Sequence, residues 1–134
     1  LSVNVSVQQL LNDNFADFIC AVLYQYGDEN VPVMIEVTES IFINDLDSTR
    51  LILEKIEQSG VGISLDDFGT GYSSLNILNK LPISELKIDK DFVRDILSDK
   101  QDWLLIQSII SMSKNLGIPV LAEGVENSEQ AKLL

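Results

Sequence analysis

"GISLDDFGTGYSS", Gly62–Ser74, joins an apolar run to two adjacent aspartates and then to a glycine-bracketed turn ending in two serines. Gly62–Asp66 reads as a strand, because Ile63 and Leu65 alternate with Ser64 and Asp66 at a period of two. Ser73 and Ser74 suit a helix N-cap, so the stretch is the joint of a βα unit with a helix predicted over Ser74–Lys80. On a regular strand Asp66 and Asp67 would point to opposite faces, and both reach one pocket only if the strand ends between them. Phe68-Gly69-Thr70-Gly71 is expected to supply that end, since glycine adopts backbone angles that other residues resist. The turn then acts as a hinge carrying Asp67, and Gly71→Val is expected to disable that carboxylate while sparing the fold.

Outward from this joint the pattern repeats. Strands are predicted at Ser2–Ser6, Val33–Val37, Glu85–Ile88 and Ile118–Ala122, and helices at Leu10–Tyr26, Thr49–Ser59, a long or broken stretch Lys90–Asn115, and one opening at Asn127. Gly60, Gly117 and Pro119 fall where helices stop and strands begin, and Asn127 with Gln130 reads as an N-cap pair. Short strands alternating with longer helices define an α/β chain around a parallel sheet. No linker or repeat divides the 134 residues, which are read as one domain.

Composition removes whole classes of function. There is no histidine, so Ser-His-Asp and Cys-His catalysis and the usual zinc ligand sets are excluded. The single cysteine, Cys20, forms no internal disulfide and is expected to be a small buried helix residue. A formal charge of -12 with a pI near 4.1 repels a nucleic-acid backbone, so no nucleic acid polymer is expected as a partner. No run approaches the roughly 20 apolar residues of a membrane span, and the N-terminus lacks a signal-peptide pattern. A cytoplasmic setting without membrane contact by this segment is the expectation, although other domains of a parent protein could anchor it.

The two faces of the predicted strands differ. Val3, Val5, Ile35, Val37, Ile63, Leu65, Leu86, Ile88, Val120 and Ala122 share the face expected under helices. Asn4, Ser6, Glu36, Ser64, Asp66, Lys87 and Glu123 share the other, each at or past the C-terminal half of its strand. A parallel sheet gathers those ends on one rim, where ligands bind in barrels and open α/β sheets alike. Two carboxylates about 4 Å apart repel by about 4 kcal/mol at an effective dielectric near 20. Clustering Glu36, Asp66, Asp67 and Glu123 therefore calls for cations, and carboxylate and amide oxygens without imidazole or thiolate select hard ions, Mg²⁺ or Mn²⁺. Lys87 among these acids should keep its proton and serve to stabilise charge. Asp89, Asp91, Glu54 and Glu57 are read as solvated surface.

Five segments in order, "LSVNVSVQQL", "IEVTES", "LDDFGTGYSSL", "LKIDKDFV" and "LAEGVE", resemble the successive signatures of EAL domains, the bacterial phosphodiesterases that hydrolyse cyclic di-GMP. The resemblance spans essentially the whole chain and implies a partial TIM-type (β/α) barrel of about five βα units. It implies that Asn4, Glu36, Asp66 and Asp67 are metal ligands, with Asp66 shared between two ions. It implies further that Lys87 contacts the attacking water or phosphate, and that Glu123 is the general base or positions the water. Glu39 resembles the residue that ties down the loop Gly69-Thr70-Gly71, and Glu126 a supporting acid. Hydrolysis to linear pGpG and a homodimer through the region Tyr72–Leu81 are the remaining implications.

The chain also departs from the family. It contains no Glu-Ala-Leu triplet, whose glutamate is a metal ligand, and it stops before the family's Gln-Gly segment. The expectation is a fragment of an EAL domain, inactive when isolated. A degenerate module that binds cyclic di-GMP without cleaving it, or an interaction module, is the alternative. "DFG" and "GTG" occur without the companion motifs of a kinase or a dinucleotide loop. A flavodoxin-like receiver is disfavoured because its acidic pair should follow the first strand and not the third.

Overall fold

The computed structural model describes residues 1–28, 30–42, 45–69 and 78–134. Five parallel strands, β1 (Ser2–Asn4), β2 (Met34–Thr38), β3 (Gly62–Phe68), β4 (Glu85–Ile88) and β5 (Val120–Ala122), lie side by side in chain order. A doubly wound sheet reverses its strand order at a switch point, and this one never does. Successive crossovers of one hand then lay every helix on the same face and leave the other face to line the inside of a barrel arc.

The apolar strand set faces the helices as expected. Ile35, Val37, Ile63, Leu65, Leu86 and Ile88 are each at most 1% exposed, and burying such a side chain contributes about 1.5–3 kcal/mol. At the two edge strands the cover thins: Val3 is 44% exposed, and Val120 and Ala122 are half-buried.

Local hydrogen bonding shifts several boundaries. Ser6 leaves the predicted strand and caps a short helix, α1 (Val7–Leu10), its hydroxyl accepting from the Gln9 N–H while its own N–H donates to Gln9 Oε1. The predicted helix Leu10–Tyr26 breaks at an Asx turn, where Asn12 Oδ1 accepts from the Asn14 N–H at 3.1 Å, and resumes as α2 (Phe15–Tyr26). Cys20 lies in α2 and is half-buried, more open than expected. A 3₁₀ turn, Glu39–Phe42, follows β2. Asp45 caps α3 (Leu46–Gln58), accepting from the N–H groups of Asp47 and Ser48, three residues before the predicted start.

The long stretch after β4 is two helices, α4 (Lys90–Asp95) and α5 (Lys100–Leu116), because Asp99 caps the second. Gly117, at φ +73, ends α5 in the left-handed region. α6 (Ser128–Leu133) opens on the predicted Asn127–Gln130 capping box. The helix predicted over Ser74–Lys80 lies outside the described residues as far as position 77, as does most of the dimer region Tyr72–Leu81. Among the described residues no helix is long and apolar enough to cross a membrane.

Candidate active site at the strand ends

Lys87 occupies the middle of the inner face on β4 and is 6% exposed. Its ammonium lies 3.1 Å from Glu36 Oε2, 3.5 Å from Asp66 Oδ1 and 2.6 Å from Glu123 Oε1. These acids come from β2, β3 and the residue just after β5, so parallel alignment alone brings together positions 36, 66, 87 and 123. Burial would depress the Lys87 pKa, but hydrogen bonds to Glu123 and Glu36 and the charge of Asp66 outweigh it and raise it above lysine's ordinary value. Ser64, fully buried beside them, donates to Glu85 Oε1 at 3.1 Å.

The double aspartate reaches the pocket by a different route from the one expected. β3 does not end between Asp66 and Asp67; it runs on to Phe68 through a bulge. Leu65 pairs with Leu86 and Phe68 with Ile88, so two residues on β3 stand against Lys87 alone on β4. Asp67 takes φ +56, a left-handed conformation aspartate tolerates better than most residues, and its N–H donates to Asp66 Oδ1 at 3.0 Å. Phe68 is thereby returned to the helix-covered face and is buried in the core. Gly69 follows at φ +104, where a side chain would be strained, and a Cβ there would also come within 3.2 Å of Ile109 Cδ1.

Burial raises the Asp67 pKa above the usual carboxylate value, aided by a hydrogen bond with Asp89 and the charges of Asp66, Asp89 and Glu123. Asp89 is therefore part of this acidic group and not the solvated surface residue expected from sequence; it also caps α4, accepting from the Asp91 N–H at 2.6 Å. The apolar–polar alternation of "LKID" carried the signal, since Asp89 follows Lys87 by two residues.

The other predicted site residues are less closely joined. Asn4 stands opposite Glu36 in the β1–β2 register, on an exposed edge strand. Glu39 is buried at the start of the 3₁₀ turn. Glu126 is exposed in the loop before α6 and forms no ion pair with the cluster among the described residues; its backbone N–H donates to Gln130 Oε1 at 2.8 Å. Thr70 and Gly71 lie outside the described residues.

In the observed rotamers no three acidic side chains among the described residues are disposed around one ion. They are disposed around an ammonium instead. Three carboxylates within 3.5 Å of one nitrogen form an oxygen-only set built to surround positive charge, and such donors fit a hard divalent cation.

An arc of five sequential parallel strands, its inner rim bearing acids and one buried lysine, defines part of a (β/α)-barrel with a polar cluster at the strand ends. The chain belongs to the EAL domain family, which it matches over residues 1–134. It is 40% identical over 134 residues to the bifunctional diguanylate cyclase/cyclic di-GMP phosphodiesterase MucR of Pseudomonas aeruginosa, covering all of this chain and 20% of that protein. A solved PaMucR phosphodiesterase in complex with c-di-GMP superposes with a TM-score of 0.92 at 40% identity, covering 99% of this chain and 54% of that one. The Klebsiella pneumoniae BlrP1 manganese/cy-diGMP complex gives a TM-score of 0.85 at 30% identity, covering 99% and 34%. The chain thus spans about a fifth of the length of this curated relative and about half of the first structure. MucR is thus a relative with cyclic di-GMP phosphodiesterase activity, and the expected partial-barrel fold is the one observed.

Proposed function

We propose that the protein carrying residues 1–134, as part of one EAL domain, hydrolyses cyclic di-GMP to linear pGpG. The observation that carries this reading is the convergence of Glu36, Asp66 and Glu123 on the buried Lys87 ammonium. Asn4, Glu36, Asp66 and Asp67 would hold two divalent ions, Mg²⁺ or Mn²⁺, with Asp66 shared between them and Glu39 supporting the loop after Asp67. Such ions would supply a more acidic water as nucleophile and positive charge to offset that developing on the phosphoryl group.

Glu123 accepts the proton as the water oxygen forms its bond to phosphorus and the bond to the 3′ oxygen breaks, the leaving oxygen taking up a proton from solvent to become the 3′-hydroxyl of pGpG. Lys87, held protonated by its three acids, donates hydrogen bonds to the oxygens on which negative charge grows. Glu126 contributes negative charge near the pocket mouth without contacting the reacting atoms. A cytoplasmic location and a homodimer formed through the segment after Asp67 complete the reading, the latter supported by the family resemblance.

The test is conversion of cyclic di-GMP to pGpG by the full-length protein with Mg²⁺ or Mn²⁺, followed chromatographically. Turnover that disappears with chelator and falls by about 100-fold or more in Glu123→Gln is expected. A folded, metal-supplied protein with no turnover would refute the reading.

A further inference from the structure

Gln130 is a buried amide, 3% exposed, with both of its ends engaged. Its Oε1 accepts from the backbone N–H groups of Glu126 at 2.8 Å and Asn127 at 3.2 Å. Its Nε2 donates to the carbonyl oxygens of Val93 at 3.1 Å and Arg94 at 3.5 Å, in α4. A capping box requires only the Asn127 contact and the reciprocal bond from the Gln130 N–H to Asn127 Oδ1. The second pair reaches across 36 to 37 residues of sequence and ties the loop Glu123–Asn127 to the last turn of α4.

The same loop meets the first turn of α4 as well. Gly124, at φ +69, lies so close that a Cβ on it would come within 2.8 Å of the Lys90 Cβ. The Glu123 N–H donates to the Ile88 carbonyl at 3.1 Å. Glu123 is therefore held at three points against the unit formed by β4 and α4, the unit that carries Lys87.

We infer that Gln130 is a positioning residue: by suspending the Glu123 loop from the carbonyls of α4, it holds the Glu123 carboxylate on the Lys87 ammonium. The catalytic part of this role rests on the proposed hydrolysis; the placement of Glu123 does not. Outer contacts that orient a reacting group in this way carry activity, and their loss costs about 10- to 100-fold.

Two variants of the full-length protein test it. Gln130→Glu keeps acceptors for Glu126 and Asn127, so the α6 cap survives, but presents an acceptor to the Val93 and Arg94 carbonyls. Gly124→Ala disturbs the same loop through Lys90 and leaves Gln130 intact. Both are expected to lower kcat on cyclic di-GMP by about 10- to 100-fold with KM near wild type. In chelator, both should broaden the ¹H–¹⁵N signal of the Lys87 ammonium, which its ion pairs shield from exchange with water in the wild type.

Wild-type kcat together with an unchanged Lys87 signal would overturn the inference, even if the thermal midpoint falls, because that pattern describes a purely structural residue. Should Gln130→Glu fail to fold, Gln130→Asn, whose shorter amide cannot reach both the loop N–H groups and the α4 carbonyls, decides between the same outcomes. A wild-type protein without turnover refutes the proposed activity, while the Lys87 signal still decides the positioning role.

Discussion

Replacing Lys87 with methionine keeps most of the buried aliphatic stem and deletes the cation that Glu36, Asp66 and Glu123 share. Across contacts of 2.6 to 3.5 Å the direct attraction is about 5–6 kcal/mol per pair at an effective dielectric near 20, and much of it is offset by desolvation. The Glu123 side chain is 37% exposed, so water screens that pair most. Leaving buried charges without their partner costs about 3–5 kcal/mol net. For a domain of this class that lowers the thermal midpoint by about 6–20 °C.

The assay is circular dichroism melting of wild type and Lys87→Met in the full-length protein, in chelator and then with saturating Mg²⁺. In chelator the full loss is expected; with Mg²⁺ it should shrink, because bound ions replace part of the missing positive charge. The raised Lys87 pKa means its contribution is complete below lysine's ordinary value, near 10.4, and is lost only as pH rises through its higher folded value. A loss below about 2 °C in chelator, or one that Mg²⁺ leaves unchanged, would refute the shared-counter-ion reading.

Hydrogen bonds from the Ser48 hydroxyl and N–H, with a smaller one from Asp47, hold the Asp45 carboxyl below its usual range. Its stabilising effect is present above the ordinary carboxylate pKa and is lost as pH falls through the folded value. Asp45→Asn keeps a capping oxygen but cannot titrate, so melting curves of the two proteins should converge as pH falls below about 4; parallel profiles would contradict this. Ser113 Oγ is fully buried on α5 with no hydrogen-bond partner among the described residues. Ser113→Ala should raise stability in denaturant titration by about 1 kcal/mol, and a comparable loss would show that the hydroxyl is satisfied.

The strand alternation was legible in the sequence because each strand presents one apolar and one polar face, and a parallel sheet fixes which residues then meet. Glu36, Asp66, Lys87 and Glu123 are far apart in the chain yet were identifiable together for that reason. The bulge at Asp66–Asp67 was not, since a period of two has no symbol for a step that counts twice; the two glycines that follow drew the turn to themselves. Asp89 was misassigned because a residue at a helix start reads as surface when its neighbour across the sheet is unknown. Gln130 was read as a cap, which it is, but its amide nitrogen looks outward to α4, and no local pattern encodes a partner 37 residues away.

The extra residue in β3 acts as a phase shift in the pleat. Upstream of it, odd-numbered residues such as Ile63 and Leu65 face the helices; downstream, the even-numbered Phe68 does. Removing either aspartate would restore a regular alternation, with the remaining acid opposite Lys87 and Phe68 still facing the helices, so what is lost is the second acid and not the core. The site's chemistry is thus written partly in residue count: the extra position admits a second carboxylate beside Lys87 without moving Phe68 out of the core.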